Sequence, residues 1–141
     1  KERFIELTQK LASIPHVKIL YFGDTMTAPL VHEICNLQGD HVINLAQKTT
    51  LRQLLAMISL CTVFLSNDSG PMHIADALAT PLIALFGSTN EIKTGPYKKG
   101  VVIHKHVACS PCYKKVCPID FRCMKQITVE EVLAELKKFF P

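Results

Sequence analysis

Residues 62–87 read T-V-F-L-S-N-D-S-G-P-M-H-I-A-D-A-L-A-T-P-L-I-A-L-F-G, and the organisation of the chain follows from them. A run of β-branched and aromatic residues, 62–66, gives way to a polar knot at 67–73. Ala and Leu then recur to residue 79, and a second apolar run, 81–86, ends on Gly87. The pattern predicts strand, turn, helix over 71–79 and strand over 81–86. Both strands are apolar without alternation, as strands buried on both faces of a parallel sheet are.

The same alternation extends to either side. Residues 2–13 place Phe4, Ile5, Leu7, Leu11 and Ala12 at helical spacing until Ile14-Pro15 ends it. V-K-I-L-Y-F at 17–22, closed by Gly23-Asp24, predicts a strand. Residues 27–37 predict a helix with Leu30, Val31, Ile34 and Leu37 on one face and Pro29 in its first turn. H-V-I-N-L at 41–45 predicts a short strand. Thr50 and Gln53 form a capping box, and Leu51, Leu54, Leu55, Ile58 and Leu60 or Cys61 form the buried face of the helix it opens.

Residues 90–100 read as loop, 101–104 as a strand and 105–127 as an irregular cysteine-rich segment. A second capping box, Thr128 to Glu131, opens a last helix whose apolar stripe is Val129, Val132, Leu133, Leu136, Phe139 and Phe140. Helix and strand alternating in units of this length predict an α/β domain, a Rossmann-like parallel sheet with helices on both faces.

Composition agrees. With 141 residues, 48% hydrophobic and 20% charged, the chain suits one compact domain and excludes a disordered segment. No apolar stretch approaches the roughly 20 residues of a membrane span, and the amphipathic opening is not a signal core. The expectation is a soluble, non-exported protein. The first residue is not Met and lies within a predicted helix, so the chain reads as part of something longer. The net charge of +4 is uneven, because residues 93–125 alone carry +7 through Lys93, Lys98, Lys99, Lys105, Lys114, Lys115, Arg122 and Lys125 against Asp120. That segment suits either a solvated face or an anion-facing surface.

In an open parallel sheet, ligands bind where a strand's carboxyl end passes into the next helix, and N-D-S-G-P-M-H occupies such a turn. Ser69 is placed to cap the helix, Gly70 to allow close backbone approach, and Pro71 to fill the first turn, where no amide hydrogen is needed. Unpaired N–H groups and the positive end of the helix dipole then suit a phosphate. A carboxylate beside a phosphate is repelled, so Asp68 suits hydroxyl groups of an attached sugar, and His73, one turn on, suits either. The same residues also suit an ordinary helix start with a surface histidine.

The stretch from Asn67 to Asn90 resembles the nucleotide-sugar motif of glycosyltransferase family 9, the lipopolysaccharide heptosyltransferases: a D-S/T-G-x-x-H core, an Ala-rich helix, a Pro, an apolar strand and a Gly. L-A-Q-K-T-T-L-R-Q-L-L-A-M-I at 45–58 is similar to the family's K-T-x-L helix start. C-S-P-C-Y-K-K-V-C-P-I-D-F-R-C-M at 109–124 is similar to the cysteine segment of its heptosyltransferase II-like members. The resemblance runs in order over essentially the whole chain.

It implies the carboxyl-terminal, donor-binding half of a GT-B glycosyltransferase, residues 1–141, with the cysteine-rich segment at 105–127 and the amino-terminal acceptor domain absent. The implied donor is ADP-heptose, and the implied acceptor is the lipopolysaccharide inner core at the cytoplasmic face of the bacterial inner membrane, with peripheral membrane association. By the same resemblance Ser69 and Gly70 bind the diphosphate, Asp68 the heptose hydroxyls and His73 sugar or phosphate. Lys48 and Thr49 fall at the adenine contact, and Thr25 falls near a family acidic residue that touches the nucleoside, although Thr is not acidic. The catalytic base, an Asp, belongs to the absent domain, so the expectation is inverting transfer by the complete enzyme, an inactive fragment and no cofactor.

Cys109, Cys112, Cys117 and Cys123 are spaced C-x2-C-x4-C-x5-C. Four thiolates so spaced suit a structural zinc, while reduced thiols are the other main reading and a cytoplasmic location disfavours disulfides. Cys35 and Cys61 fall on apolar helix faces as core residues. The rival functions are another nucleotide-sugar GT-B transferase, a non-catalytic nucleotide-binding domain, and a zinc-knuckle nucleic-acid module resting on the cysteines and the +7 segment. The last leaves N-D-S-G-P-M-H without a role, and no nucleic-acid partner is expected.

Overall fold

The computed structural model describes residues 1–36, 39–98 and 100–140. Leu37 and Lys99, placed above on a helix face and in the basic segment, lie outside them. The chain divides into two compact units, 1–53 and 54–141.

The first unit holds α1 (Glu2–Ala12), β1 (Ile19–Tyr21), α2 (Ala28–Asn36) and β2 (Val42–Asn44). β1 and β2 pair in parallel, Ile19 opposite Val42 through Tyr21 opposite Asn44. Val31, Cys35 and Ala46 form a small core, against which Tyr21, Ala28 and Val42 pack. Gly23 is needed at the end of β1, because a Cβ there would stand 2.7 Å from the Thr27 Oγ1 and 3.2 Å from the Val31 side chain. Leu30, expected on the buried face of α2, is 41% exposed, whereas Val31 and Ile34 are buried.

α3 (Leu51–Ser59) starts in the first unit, and its capping box forms as expected: the Gln53 amide donates to Thr50 Oγ1 at 3.3 Å and the Thr50 amide to Gln53 Oε1 at 2.9 Å. Its buried face is narrower than the apolar spacing predicts. Ile58 is fully buried and Leu54, Leu55 and Cys61 are half-buried, but Leu51 and Leu60, at the two ends, are exposed.

The second unit continues with β3 (Phe64–Asn67), α4 (Gly70–Ala77), β4 (Leu82–Phe86), α5 (Glu91–Thr94), β5 (Gly100–His104), α6 (Arg122–Lys125) and α7 (Val129–Lys137). Its sheet runs β3-β4-β5, all parallel, with Phe64 opposite Leu82 and Phe86 opposite His104. β4 is central and every residue of it is buried, which accounts for the uninterrupted L-I-A-L-F. The α/β class and parallel pairing are as expected, with the strands grouped as a pair and a triplet.

Three local features differ from the reading of the sequence. α4 ends at Ala77, because Ala79 takes a left-handed conformation (φ 57°) and closes the helix with Schellman bonds: Thr80 N–H to Ala75 C=O, and Ala79 N–H to Asp76 C=O. Residues 90–100 contain α5, whose N-cap Asn90 accepts from the amides of Ile92 and Lys93. A single turn of helix is too short to leave a periodic signature. At α7 only half of the capping box forms. Thr128 accepts from the Glu131 amide at 3.1 Å, while the Glu131 carboxylate is taken by Lys105 at 2.8 Å. Among the described residues, no helix is long and apolar enough to cross a membrane.

Candidate functional site

The turn from β3 to α4 stands at the carboxyl edge of the three-stranded sheet, beside the Gly87-Ser88-Thr89 turn that follows β4. Gly87 lets α6 approach, since a Cβ on it would stand 2.5 Å from the Met124 sulfur and 3.3 Å from that of Cys123. The cysteine-rich segment folds over this edge: the Ser88 carbonyl accepts from the amides of Cys112 (3.0 Å) and Tyr113 (2.8 Å). Between them lies a cleft of about 290 Å³, whose lining includes Asn67, Asp68, Thr89, Lys114, Lys115 and Arg122.

Ser69 occupies the N-cap position of α4 with extended backbone (φ −161°), but its side chain makes no cap. The Ser66 hydroxyl donates to the Asn67 carbonyl at 2.8 Å, so the Ser69 hydroxyl, 3.0 Å from Ser66 Oγ, donates to Ser66. The expected capping role of Ser69 is corrected accordingly. Pro71 carries no N–H and the Met72 amide donates to the Ser69 carbonyl at 3.1 Å, so among the described residues of the first turn it is the Gly70 N–H that is left for a ligand or water. Gly70 is exposed, and a Cβ built on it would meet no protein atom within 4 Å, so an approaching group meets no obstruction there. Pro71, expected at the first helical position, is the second residue of α4, because the helix starts at Gly70.

Asp68 is half-buried, and its Oδ2 accepts from the Thr94 hydroxyl at 3.1 Å. α5 therefore buttresses the carboxylate, with the one Thr94 hydroxyl hydrogen shared with the Asn90 carbonyl at 3.1 Å, and Asp68 itself lines the cleft. Thr94 has no signal of its own in the sequence, because it lies 26 residues from Asp68. His73 is exposed on α4 and makes no hydrogen bond among the described residues. Asp68, Ser69, Gly70 and His73 thus share one turn and its helix.

Lys48, Thr49 and Thr25 belong to the first unit, at the carboxyl ends of β2 and β1. The Gln47 amide donates to the Gly23 carbonyl at 2.9 Å, which ties the loop before Lys48 to the loop before Thr25. Lys48 and Thr25 are exposed and Thr49 is half-buried. The neighbouring Asp24 is committed locally, since its carboxylate accepts from the Thr27 hydroxyl and amide and is held below its ordinary pKa by them.

The basic segment is partly spent on the fold. Lys98 reaches the Ala77 carbonyl, Lys105 pairs with Glu131 and Arg122 with Asp120. Lys114 and Lys115 line the cleft from an exposed turn. All six cysteines are free thiols. Cys109, Cys112, Cys117 and Cys123 do not supply three sulfurs within 4.8 Å of one another among the described residues, where the group that does gather is Glu91, His104 and His106. Cys117 is distinct among the thiols. Backbone N–H groups, from Ile119 first and then Phe121, point at its sulfur and lower its pKa, while burial raises those of Cys35 and Cys61.

Comparison with known proteins gives a consistent picture. The profile of glycosyltransferase family 9 (heptosyltransferase) matches residues 1–121. Lipooligosaccharide heptosyltransferase 2 of Campylobacter jejuni is 38% identical over 111 residues, covering 77% of this chain and 35% of that protein. A lipopolysaccharide core heptosyltransferase of Haemophilus influenzae is 31% identical over 153 aligned positions, covering 98% of the chain and 44% of that protein. The solved structure of Escherichia coli ADP-heptose lipopolysaccharide heptosyltransferase II superposes with a TM-score of 0.82 at 28% identity, over 97% of this chain and 40% of that one. The chain thus spans well under half the length of these relatives.

Proposed function

The chain belongs to glycosyltransferase family 9, and from that membership we propose that these 141 residues grip the donor of a heptosyltransferase. The complete enzyme, in this reading, moves heptose from ADP-heptose to the lipopolysaccharide inner core at the cytoplasmic face of the inner membrane. The observation that carries the proposal is the uncapped start of α4 beside a half-buried Asp68 at the edge of the cleft.

The donor diphosphate lies against the start of α4, at Ser69 and the Gly70 N–H, and Lys114 and Lys115, which line the cleft, supply positive charge. Asp68, held by Thr94, accepts from the heptose hydroxyls. His73 donates to sugar or phosphate, and Lys48, Thr49 and Thr25 serve the adenosine. Transfer inverts the anomeric centre: the acceptor oxygen forms its bond to the anomeric carbon as the bond to the diphosphate breaks, and ADP departs with that electron pair. The hydroxyl proton passes to a carboxylate base outside these residues. The start of α4 and the lysines stabilise the leaving diphosphate, which is a sufficient source of charge without a metal.

Calorimetry of the complete protein with ADP-heptose, ADP and UDP tests this. Heat on both adenine ligands and none with UDP is the expected result, with Asp68→Ala weakening ADP-heptose more than ADP. Binding of UDP in place of ADP would transfer the site to a different donor, and silence with all three would remove the donor-binding reading.

A further inference from the structure

Glu91, His104 and His106 stand together at the far end of the same sheet edge, and the donor site described above uses none of them. His104 closes β5, and His106, two residues past the end of the strand with a left-handed backbone (φ 44°), brings its ring back beside it. Their ring centroids lie 4.3 Å apart. Glu91, in the first turn of α5, reaches both, with Oε2 2.8 Å from His104 Nδ1 and Oε1 3.6 Å from His106 Nε2. One ligand atom from each of the three lies within 4.8 Å of the other two.

The hydrogen bonds around His104 assign its tautomer. The Ser110 hydroxyl donates to the Gly87 carbonyl at 2.5 Å, so its oxygen accepts from His104 Nε2–H at 2.9 Å. In the neutral ring, the lone pair therefore sits on Nδ1. That nitrogen is buried in a side chain only 3% exposed, it has no hydrogen-bond partner, and it faces a carboxylate oxygen that is also an acceptor. Two acceptors 2.8 Å apart repel, so the contact needs either a proton on Nδ1, which makes it a His104–Glu91 ion pair, or a bound cation. A cation held by both atoms, beside the line that joins them, removes the conflict, and the carbonyl–serine–histidine chain orients the imidazole as a ligand needs.

We propose that Glu91, His104 and His106 bind a divalent cation of the zinc class. Two imidazole nitrogens and a carboxylate oxygen match zinc better than magnesium or calcium, which take mostly oxygen ligands. His106 is 71% exposed, so the site is open on one side to an entering ion and to a water as fourth ligand. The cation joins α5 to the end of β5. Since Thr94 of α5 holds Asp68, its role is to brace the wall behind that carboxylate and not to take part in chemistry. The site uses no cysteine and stands whether or not the donor is ADP-heptose.

The test is zinc uptake by the purified, chelator-stripped protein in competition with a chromogenic chelator, comparing wild type with His106→Ala and Glu91→Gln. His106 is exposed, and circular dichroism checks that the variants fold. Wild type is expected to take up one zinc per chain more than either variant, and cobalt at that extra site should show nitrogen and oxygen ligation without a thiolate charge-transfer band. Ser110→Ala should weaken the site by roughly 10- to 100-fold, as loss of an orienting partner does. Equal uptake by wild type and His106→Ala, or a thiolate band at the extra site, overturns the proposal. In either case the conflict at His104 is relieved by a proton instead.

Discussion

Asp68 and Asp76 flank α4, one just before it and one in its last turn, and the structure employs them in opposite ways. Asp76 is 8% exposed and accepts from the amides of Tyr97 (2.7 Å) and Lys98 (3.1 Å), pinning the loop that leads into β5. Asp68 has a single hydroxyl donor and lines the cleft. Asp76→Ala is therefore expected to cost about 2–3 kcal/mol in urea unfolding, because two part-buried amides lose a charged, buried acceptor. Asp68→Ala should cost about 1 kcal/mol or less and show its main effect in donor affinity. Equal destabilisation by the two would refute this division of labour.

Thiol chemistry separates the residues of the cysteine-rich segment in the same way. The lowered pKa of Cys117 raises its thiolate fraction at neutral pH, so its alkylation rate should climb at lower pH than those of Cys35 and Cys61, which burial pushes up. Peptide mapping after brief iodoacetamide treatment is expected to find Cys117 modified first. Modification of Cys35 or Cys61 ahead of it would show that the amides at 119 and 121 do not reach the sulfur in solution.

Among the elements, α4 does the most for the site, and its two ends are built differently. The start is left without a side-chain cap, whereas the end is fully bonded through Ala79 in a left-handed conformation. Side chains with a Cβ resist that conformation and glycine does not, so Ala79→Gly should stabilise the protein by about 1 kcal/mol, read from the denaturation midpoint at unchanged slope. Loss of stability would mean that the extra freedom of Gly in the unfolded chain outweighs the relieved strain. α5 and α6 are the elements that the apolar pattern does not predict, and α5 matters more to the site. Its single turn supplies Thr94 to Asp68 on one side and Glu91 to His104 on the other. By contrast the capping box at Thr50, the Pro71 helix start and the buried run of β4 were all legible, because each rests on contacts within a turn or on burial of a whole strand.

Taken whole, the chain covers 35–44% of the length of three heptosyltransferases that it resembles. A GT-B enzyme binds its donor between two domains, so these 141 residues on their own are expected to bind ADP-heptose at least tenfold more weakly than the complete protein and to show no turnover. Side-by-side calorimetry and a product assay check this. Turnover by the 141 residues alone would place the base among them and sink the present assignment.

The α/β class, the order of most elements, the polar turn at 67–73 and the family are legible in the residues alone, because hydrophobic period, caps and turn residues act over a few positions and the family motif is contiguous. Which side chains meet follows from packing across the fold. Strand order and register bring Ser88 under the cysteine-rich segment, Thr94 to Asp68 and Glu91 to His104. The same packing diverted the Glu131 carboxylate to Lys105, so a cap expected from local pattern is made only in half. The physical reason is common to all of these. A local motif offers donors and acceptors, but which partner each takes depends on groups up to 26 residues away that the sheet places within hydrogen-bond reach.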